Sequence, residues 1–233
     1  MKKLLVIAAT VVAAGSLASA AAAAQKQLWY DPKVDSVASD VAGVPVRVDG
    51  EDDWSEWGSF VTPSDPYGVA GFTFPFVPPA SVLYRRIFIS PDYWPSLVDA
   101  ANYGPKHSTN LYRTAAAIFV MTHEAYHIRL LSGDENRVNA CALQAIPSVL
   151  ARNFGLSPTV AQTVSTRVTK TVRVKYRTKV RGRWVTRHRT KKVTTYLTTT
   201  TTTPDPTFTE IVSDVQDIYK NHQPPEYNTG TCW

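Results

Sequence analysis

Three side chains within one five-residue stretch have the types and spacing of a metal site. The stretch is His123-Glu124-Ala125-Tyr126-His127, in which a glutamate follows the first histidine and a second histidine lies four positions on. On an α-helix, positions i and i+4 share one face, so both imidazoles can reach one Zn²⁺ ion at about 2.0–2.1 Å. Glu124 then flanks the metal, where it can accept a proton from a bound water. The pattern predicts a zinc site with hydrolytic chemistry.

The residues before this H-E-x-x-H motif predict the helix that such geometry needs. From Thr114 to Met121 the chain has no glycine or proline and is apolar on nearly all sides, as in a helix buried in a core. Ser108 or Asn110 is placed to cap its start, and Gly133 stands where a C-terminal cap is expected. Two histidines and a glutamate inside such a helix need polar partners, and one metal ion would serve all three.

A zinc site with two histidines needs a third protein ligand. The sequence offers five candidates, namely Glu135, Asp134, His107, His222 and Cys141. Glu135 follows a tight turn, and the helix that opens there is expected to fold back antiparallel, which brings its first turn near His127. We therefore predict Glu135 as the third ligand. The alternative is that an acid at this position only complements the helix dipole.

With these residues the chain resembles zincin metallopeptidases, in the branch whose third ligand is a glutamate on the following helix. Glu135-Asn136-Arg137-Val138-Asn139 is similar to the E-x-x-A-D run of some members, with Val138 for alanine and Asn139 for aspartate. The chain also resembles small secreted actinobacterial proteins of the metallopeptidase type. This resemblance rests on the H-E-x-x-H motif, on Glu135 eight residues after His127, and on residues 139–144. The resemblance implies an α+β, zincin-like fold, in which a small N-terminal antiparallel sheet packs on the buried motif helix.

The N-terminal residues predict export. A basic start is followed by an apolar run over residues 4–12 and by small residues to position 24, which is the pattern of a secretory signal peptide. Residues 25–233 are then expected to form a single secreted or extracellular domain without a transmembrane anchor. Two cysteines, Cys141 and Cys232, are expected to form a disulfide in an oxidising compartment. The alternative for Cys141 is a role as zinc ligand.

Other elements are predicted from periodicity and turn residues. Residues 25–103 are expected to form short strands and loops, because prolines separate the alternating runs at 44–48, 68–74 and 82–89. Helices are expected from Glu135 to about Asn153, from Ser157-Pro158 onward, and over residues 208–221 with a cap near Asp205 or Thr207.

A cationic ribbon is predicted in the second half of the chain. The stretch from Arg167 to Lys192 holds 12 of the 25 Lys/Arg residues and no acid. Residues 172–180 alternate as a strand does, and Gly182-Arg183 can form a hairpin turn. That turn would pair Val180 with Val185, Tyr176 with Arg189 and Val172 with Val193. A threonine-rich return completes an insertion at about residues 169–203.

The ribbon and the remaining domain have opposite charges. Without the two signal-peptide lysines and the ribbon, 11 Lys/Arg face 19 Asp/Glu, so the body carries −8 and the ribbon +12. We expect the ribbon to bind an anionic partner such as a cell-envelope polymer, lipid headgroups or nucleic acid. The alternatives are docking on its own acidic body and a solvated ribbon with no ligand. No motif for sequence-specific nucleic-acid binding is present.

These observations predict a secreted zinc metallopeptidase that acts on peptides or proteins. His123, His127 and Glu135 would hold Zn²⁺, and Glu124 would act as general base on a zinc-activated water. The alternative is a non-enzymatic envelope-binding or polyanion-binding protein with a structural or vestigial metal site. A catalytic zinc keeps an open position, whereas a structural zinc has four protein ligands.

Overall fold

The structure is a computed structural model that describes residues 29–51, 57, 70–221 and 230–232. The chain divides into two units, one comprising Met1–Pro158 with Asp205–Trp233 and the other Thr159–Pro204. The described elements of the first unit are β1 (Trp29–Tyr30), α1 (Pro32–Ala42), β2 (Arg47–Gly50), β3 (Gly71–Thr73), β4 (Arg86–Ile89), α2 (Trp94–Tyr103), a 3₁₀ turn (Pro105–His107), α3 (Leu111–Leu130), α4 (Glu135–Asn153) and α5 (Pro206–Asn221). The second unit contains β5 (Thr159–Val180) and β6 (Arg183–Pro204). The predicted signal peptide and His222 lie outside the described residues.

Helix α3 lies at the centre of the first unit. Every residue from Thr114 to Ala125 is buried, because α3 packs on α1, α2, α4 and α5 and on strands β3 and β4. A helix that is apolar nearly all round has no face suited to water, as the sequence predicts. The H-E-x-x-H motif therefore lies inside the core.

The ends of α3 are set by their caps. The side chain of Asn110 caps the start by accepting a backbone N–H three residues on. The predicted C-terminal cap at Gly133 is wrong, because the helix ends at Leu130 and is capped by Leu131, whose φ of 47° is left-handed. The N–H of Ser132 bonds back to the carbonyl of His127 at 3.2 Å, which closes the last turn earlier than expected.

The sheet of the first unit has strand order β1-β2-β4-β3. The pairs β1–β2 and β3–β4 are antiparallel, but β2 and β4 are parallel, so the expectation of a purely antiparallel sheet is wrong. A long connection separates β2 from β4, which leaves room for the crossover that parallel strands require. Gly71 lets β3 approach α3, because a Cβ atom there would lie 2.7 Å from Cγ1 of Val120.

Two helices occur where the sequence predicts only strands and loops. In α1, Asp31 caps the first turn and Pro32 occupies its first position, and in α2 a proline stands near the start. Prolines interrupt helix interiors but fit the first turn, where the missing N–H has no partner to lose. The prolines of α1 and α2 therefore begin these helices and do not interrupt them, contrary to the expectation of only strands and loops.

The second unit is one long hairpin rather than a helix followed by a shorter ribbon. The helix predicted to start at Ser157-Pro158 is wrong, since β5 begins at Thr159. The turn residues are Arg181 and Gly182, with φ values of 47° and 81°. Positive φ at both central residues is the type I′ requirement, and glycine suits the second position.

The predicted register of this hairpin is also wrong, by two residues. The structure pairs Val180 with Arg183, Tyr176 with Arg187 and Val172 with Lys191. In this register Arg173 faces Thr190 and Lys192 faces Thr171. The predicted register would have placed Arg173 opposite Lys192, and directly opposed like charges destabilise a strand pair.

The sulfur atoms of Cys141 and Cys232 lie at disulfide-bond distance, which is the pairing expected from the sequence. The link ties α4 to the C-terminal segment across 91 positions of the chain. Among the residues that the structure describes, no helix combines the length and apolarity needed to cross a membrane.

The first prediction concerns Asp205, which begins α5. Its buried carboxylate accepts the N–H groups of Thr207 and Phe208 and pairs with Lys106 at 2.7 Å. Asp205→Ala should lower the free energy of unfolding by about 1–2 kcal/mol, since it removes a helix cap. Asp205→Asn keeps the cap oxygen and should cost less, because the ion pair involves a half-exposed lysine. Urea denaturation measures both, and equal costs would contradict the cap assignment.

The same carboxylate makes stability depend on acid pH. Lys106 lowers the pKa of Asp205 below its ordinary value of 3.8. A carboxyl with a lowered folded pKa stabilises the fold above its unfolded pKa and loses that effect as the pH falls through the folded pKa. The difference between wild type and Asp205→Ala should therefore shrink below about pH 4.

The second prediction concerns the disulfide. Replacing Cys141 and Cys232 together with alanine should lower stability by about 4–5 kcal/mol in the chain-entropy model, because the closed loop is long. Reductant should destabilise the wild type toward the variant and leave the variant unchanged. Thiol titration of the denatured, unreduced wild type checks the pairing directly, and two free thiols would exclude it.

Candidate metal centre

Three side chains from two turns of α3 form a buried cluster. One ligand atom from each of His123, Glu124 and His127 lies within 4.8 Å of the others, and the three residues are 1–3% exposed. The Nε2 atoms of the two histidines are 2.9 Å apart, as expected for imidazoles one turn apart on the same helix face. The chain thus carries a buried His–Glu–His group that can hold a metal ion.

Glu135 lies closer to the imidazoles than Glu124 does. Its two carboxylate oxygens are 3.1 Å from His123 Nε2 and 3.4 Å from His127 Nε2, whereas Glu124 Oε1 is 3.9 Å from His123 Nε2. The chain reaches this position because α4 begins directly after the turn that ends α3. The first residue of α4 is thereby placed against the last two turns of α3.

The other predicted ligand candidates do not join this group. The side chain of Asp134 caps α4 by accepting the N–H of Arg137 at 3.2 Å. His107 is exposed in the 3₁₀ turn, and Cys141 is paired with Cys232. Of the candidates within the described residues, Glu135 is thus the one that meets both imidazoles.

A backbone contact determines which nitrogen of His127 faces the cluster. His127 Nδ1 lies 2.6 Å from the carbonyl oxygen of Ser132, and a carbonyl can only accept a hydrogen bond, so Nδ1 donates. In the neutral imidazole Nε2 then carries the lone pair. This arrangement, a backbone carbonyl on one nitrogen and a free lone pair on the other, is typical of metal-ligating histidines.

Asn139 lies beside His123, one turn along α4 from Glu135. It is fully buried, and neither its amide atoms nor His123 Nδ1 completes a hydrogen bond within the described part of the chain. The amide nevertheless favours the protonated imidazole. An asparagine side chain is uncharged, so this neighbour of His123 is neutral.

The electrostatics of the cluster favour positive charge between the imidazoles and Glu135. Burial alone lowers the pKa of His127, but the carboxylates of Glu135 and Glu124 outweigh it and raise that pKa to about 9. Burial likewise raises the pKa of Glu135, but contacts with both histidines hold it well below its usual range. Burial keeps the pKa of His123 below its ordinary value. Glu135 is therefore ionised, and its negative charge favours a cation between its carboxylate and the two imidazoles.

Glu124 differs from Glu135 in protonation. Burial, which His127 opposes and the nearby charge of Glu135 assists, raises the pKa of Glu124 to about 8. A buried carboxyl with a raised pKa beside a candidate metal site has the properties of a proton acceptor in catalysis. Two carboxylates in one site are therefore driven to different states by their surroundings.

The donor set fits zinc. Neighbouring ligand atoms of a tetrahedral zinc lie about 3.3 Å apart when each bond is about 2.0–2.1 Å. The three separations among His123 Nε2, His127 Nε2 and the Glu135 oxygens are 2.9, 3.1 and 3.4 Å. Two neutral imidazoles with one carboxylate are also ligands that zinc accepts.

The fold and the site together define a mixed α+β protein with a buried candidate metal centre on its central helix. Comparison of the chain with protein-family models, with curated proteins and with solved structures finds no match. The class of the protein therefore has to be argued from the site.

The third prediction separates ligands from neighbours. His127→Ala and Glu135→Ala should each weaken zinc affinity by more than about a hundredfold, since loss of a direct ligand exceeds the effect of outer contacts. Glu124→Gln should leave zinc affinity nearly unchanged. Calorimetric titration of the metal-free protein with zinc measures all three.

The matched control for Glu135 is Asp134→Ala. It removes an adjacent acid from the same helix start, but its carboxylate caps α4 and does not face the imidazoles. Asp134→Ala should therefore cost stability of about 1 kcal/mol and leave zinc affinity intact. Wild-type zinc affinity in Glu135→Ala would show that Glu135 only complements the helix dipole.

Proposed function

We propose that this chain is an exported zinc-dependent hydrolase of the metallopeptidase class, acting on peptides or proteins. One observation carries the proposal, the convergence of the His123 and His127 Nε2 atoms with the Glu135 carboxylate at 2.9–3.4 Å. A second buried carboxylate, Glu124, lies beside them. Three protein ligands are the number typical of catalytic zinc sites, whereas structural sites have four.

In this proposal His123, His127 and Glu135 hold the zinc ion. When bound, zinc supplies Lewis acidity that polarises a carbonyl and makes water more acidic. Glu124 accepts the proton of the attacking water at its carboxylate and passes it to the leaving amine. Its burial supports this role, because it raises the pKa of Glu124 toward neutral pH, where the group can both take up and release a proton.

A zincin-like arrangement is part of the proposal. The motif helix, a following helix that begins with the third ligand, and a mixed sheet packed on the motif helix support it. Among the described strands, β1 and β3 are the terminal strands of the sheet order, and β3 contacts α3. We propose that an extended substrate adds to the sheet beside β3, since unpaired backbone groups of a terminal strand can bind a peptide.

A cavity of about 180 Å³ lies beside the end of α3. It is lined by Phe74 and Tyr84 from the sheet side and by Ile128 and Leu131 from the helix side. Ile128 directly follows His127, so the cavity borders the helix turn that carries a proposed ligand. The lining also includes Arg85 and Arg129, so the cavity offers apolar, aromatic and cationic contacts to a substrate side chain.

The second candidate is an envelope-binding or polyanion-binding protein without catalysis, in which the metal site is structural or vestigial. The observation that favours it is the exposed second unit, with 12 Lys/Arg and no acid. An extracellular location would suit both candidates, and the paired cysteines are compatible with it. Hydrolytic activity distinguishes the two.

The fourth prediction tests the role of Glu124. Glu124→Gln should retain zinc and lower kcat/KM toward a dye-labelled casein by about 10²–10⁴-fold, the usual contribution of a general base. Glu210→Gln, the same change at an exposed position of α5, should leave activity unchanged. Hydrolysis is followed by release of dye-labelled peptides from zinc-loaded protein.

Two results would contradict the proposal. If the fully zinc-loaded wild type cleaves neither casein nor a random peptide library, the chain is not a peptidase. If Glu124→Gln retains wild-type activity with full zinc content, Glu124 is not the proton acceptor.

A further inference from the structure

The register of the β5–β6 ribbon defines two faces. Residues directly opposed across an antiparallel pair share a face, and successive residues of a strand alternate between faces. Pairing of Thr159 with Pro204 and of Val180 with Arg183 therefore puts the even-numbered residues of β5 together with the odd-numbered residues of β6. The remaining residues of both strands form the opposite face.

One face concentrates the aliphatic side chains of the ribbon, and we call it the valine face. Its aliphatic members are Val160, Val164, Val168, Val172, Val174, Val180, Val185, Val193 and Leu197. Of these, Val164, Val172, Val174, Val180, Val185, Val193 and Leu197 are between 36% and 60% exposed. Large side chains with that exposure leave a row of apolar surface in contact with water.

The other face, which we call the threonine face, carries hydroxyl groups and cations together with the exposed aromatic side chains of Trp184 and Tyr196. Near the base of the ribbon its hydroxyls pair across the strands, as in Thr163 with Thr200 and Ser165 with Thr198, both at 3.3 Å. Valine and threonine are both good strand formers. Strand formation alone would allow either residue on either face, so it does not explain why the valines lie on one side.

A row of cations runs beside the aliphatic row on the valine face. Val172 is opposed by Lys191, Val174 by Arg189 and Val180 by Arg183. Tyr176 lies on the same face opposite Arg187 and is contacted by the Arg189 guanidinium at 5.5 Å from its ring. The valine face therefore presents apolar side chains and positive charges side by side.

We infer that the valine face binds the surface of an anionic phospholipid bilayer. Such a surface offers an apolar layer directly beneath a layer of negative charge, and the adjacent aliphatic and cationic rows match both. A soluble polyanion would match the cations but would leave the aliphatic row in water. The inference concerns the second unit and does not depend on the metal site.

Charge argues against a second copy of the ribbon as the occupant. Residues 159–204 contain 12 Lys/Arg and no Asp or Glu. Two valine faces packed together would bring their cationic rows into contact without any compensating acid, which disfavours association.

The basic test is binding of the full-length mature protein to vesicles. Sedimentation with sucrose-loaded vesicles of 70% phosphatidylcholine and 30% phosphatidylglycerol should pull down the protein, and pure phosphatidylcholine vesicles should bind it far more weakly. Binding should weaken as salt rises from about 50 to 500 mM, because screening shortens the range of the cations. Absence of binding to the anionic vesicles at low salt would overturn the inference.

A first variant isolates the aliphatic row. Replacing Val172, Val174 and Val193 together with threonine keeps charge, shape and strand propensity. It should lower the vesicle partition coefficient by about tenfold. The same variant should bind dextran sulfate, a soluble polyanion, as the wild type does. Unchanged vesicle binding, or equal losses toward vesicles and dextran sulfate, would overturn the proposal of a lipid surface.

A second pair of variants compares the cations of the valine face with those of the threonine face. Replacing Arg187, Arg189 and Lys191 with glutamine removes three charges from the valine face. It should lower vesicle binding by about a hundredfold, at roughly a factor of five per cation near the surface. The matched variant changes Arg173, Lys175 and Arg177 to glutamine. It removes three charges from the threonine face, so it should lower binding by less than about tenfold.

If the two glutamine variants lower vesicle binding equally, the face on which the charges lie does not matter. The inference would then fail. An unchanged thermal unfolding transition of every variant is the check that the helical first unit is intact. Unchanged far-UV circular dichroism is the check that the hairpin is intact.

Discussion

The contact of two imidazoles with a carboxylate inside the hydrophobic core is the interaction on which the helical part of the fold depends. Ionised groups taken out of water cost several kcal/mol each unless they are paired. His123 and His127 lie on a helix with no solvent face, so their partner has to come from another element. Glu135 meets this need only because the turn after Leu131 delivers the start of α4 to that place. The contact in which Glu135 compensates the imidazoles therefore also requires α4 to pack on α3.

The same surroundings give two glutamates different roles. Glu135 faces both imidazoles, which hold its pKa below the usual range, and it stays ionised. Glu124 is buried with less compensation, and its pKa is raised to about 8. Two titratable groups whose pKa values are driven apart are a recurrent feature of sites that combine a fixed charge with a proton carrier. In the proposed function the ionised Glu135 is the fixed charge and Glu124 is the proton carrier.

The local features of the site could be predicted from the sequence, and the long-range features of the fold could not. Histidines four positions apart on a helix share a face whatever surrounds them. Glu135 can be predicted as their neighbour because the turn between His127 and Glu135 is short. Helices α1 and α2 were missed although Val34, Val37, Ala38 and Val41 have helical spacing, since prolines masked their starts. The parallel pairing of β2 with β4 depends on a crossover that no local pattern specifies.

The ribbon follows a different physical rule from the helical unit, because it has no core. Its strands pair over 22 residues each, and an isolated hairpin is marginally stable in water. In the observed register no Lys or Arg in the strands directly opposes another, and Arg173 and Lys192 each face a threonine. Repulsion among cations along each strand remains uncompensated within the unit. An anionic surface would relieve that repulsion and cover the aliphatic row at once, so binding and stabilisation of the ribbon would have the same physical origin.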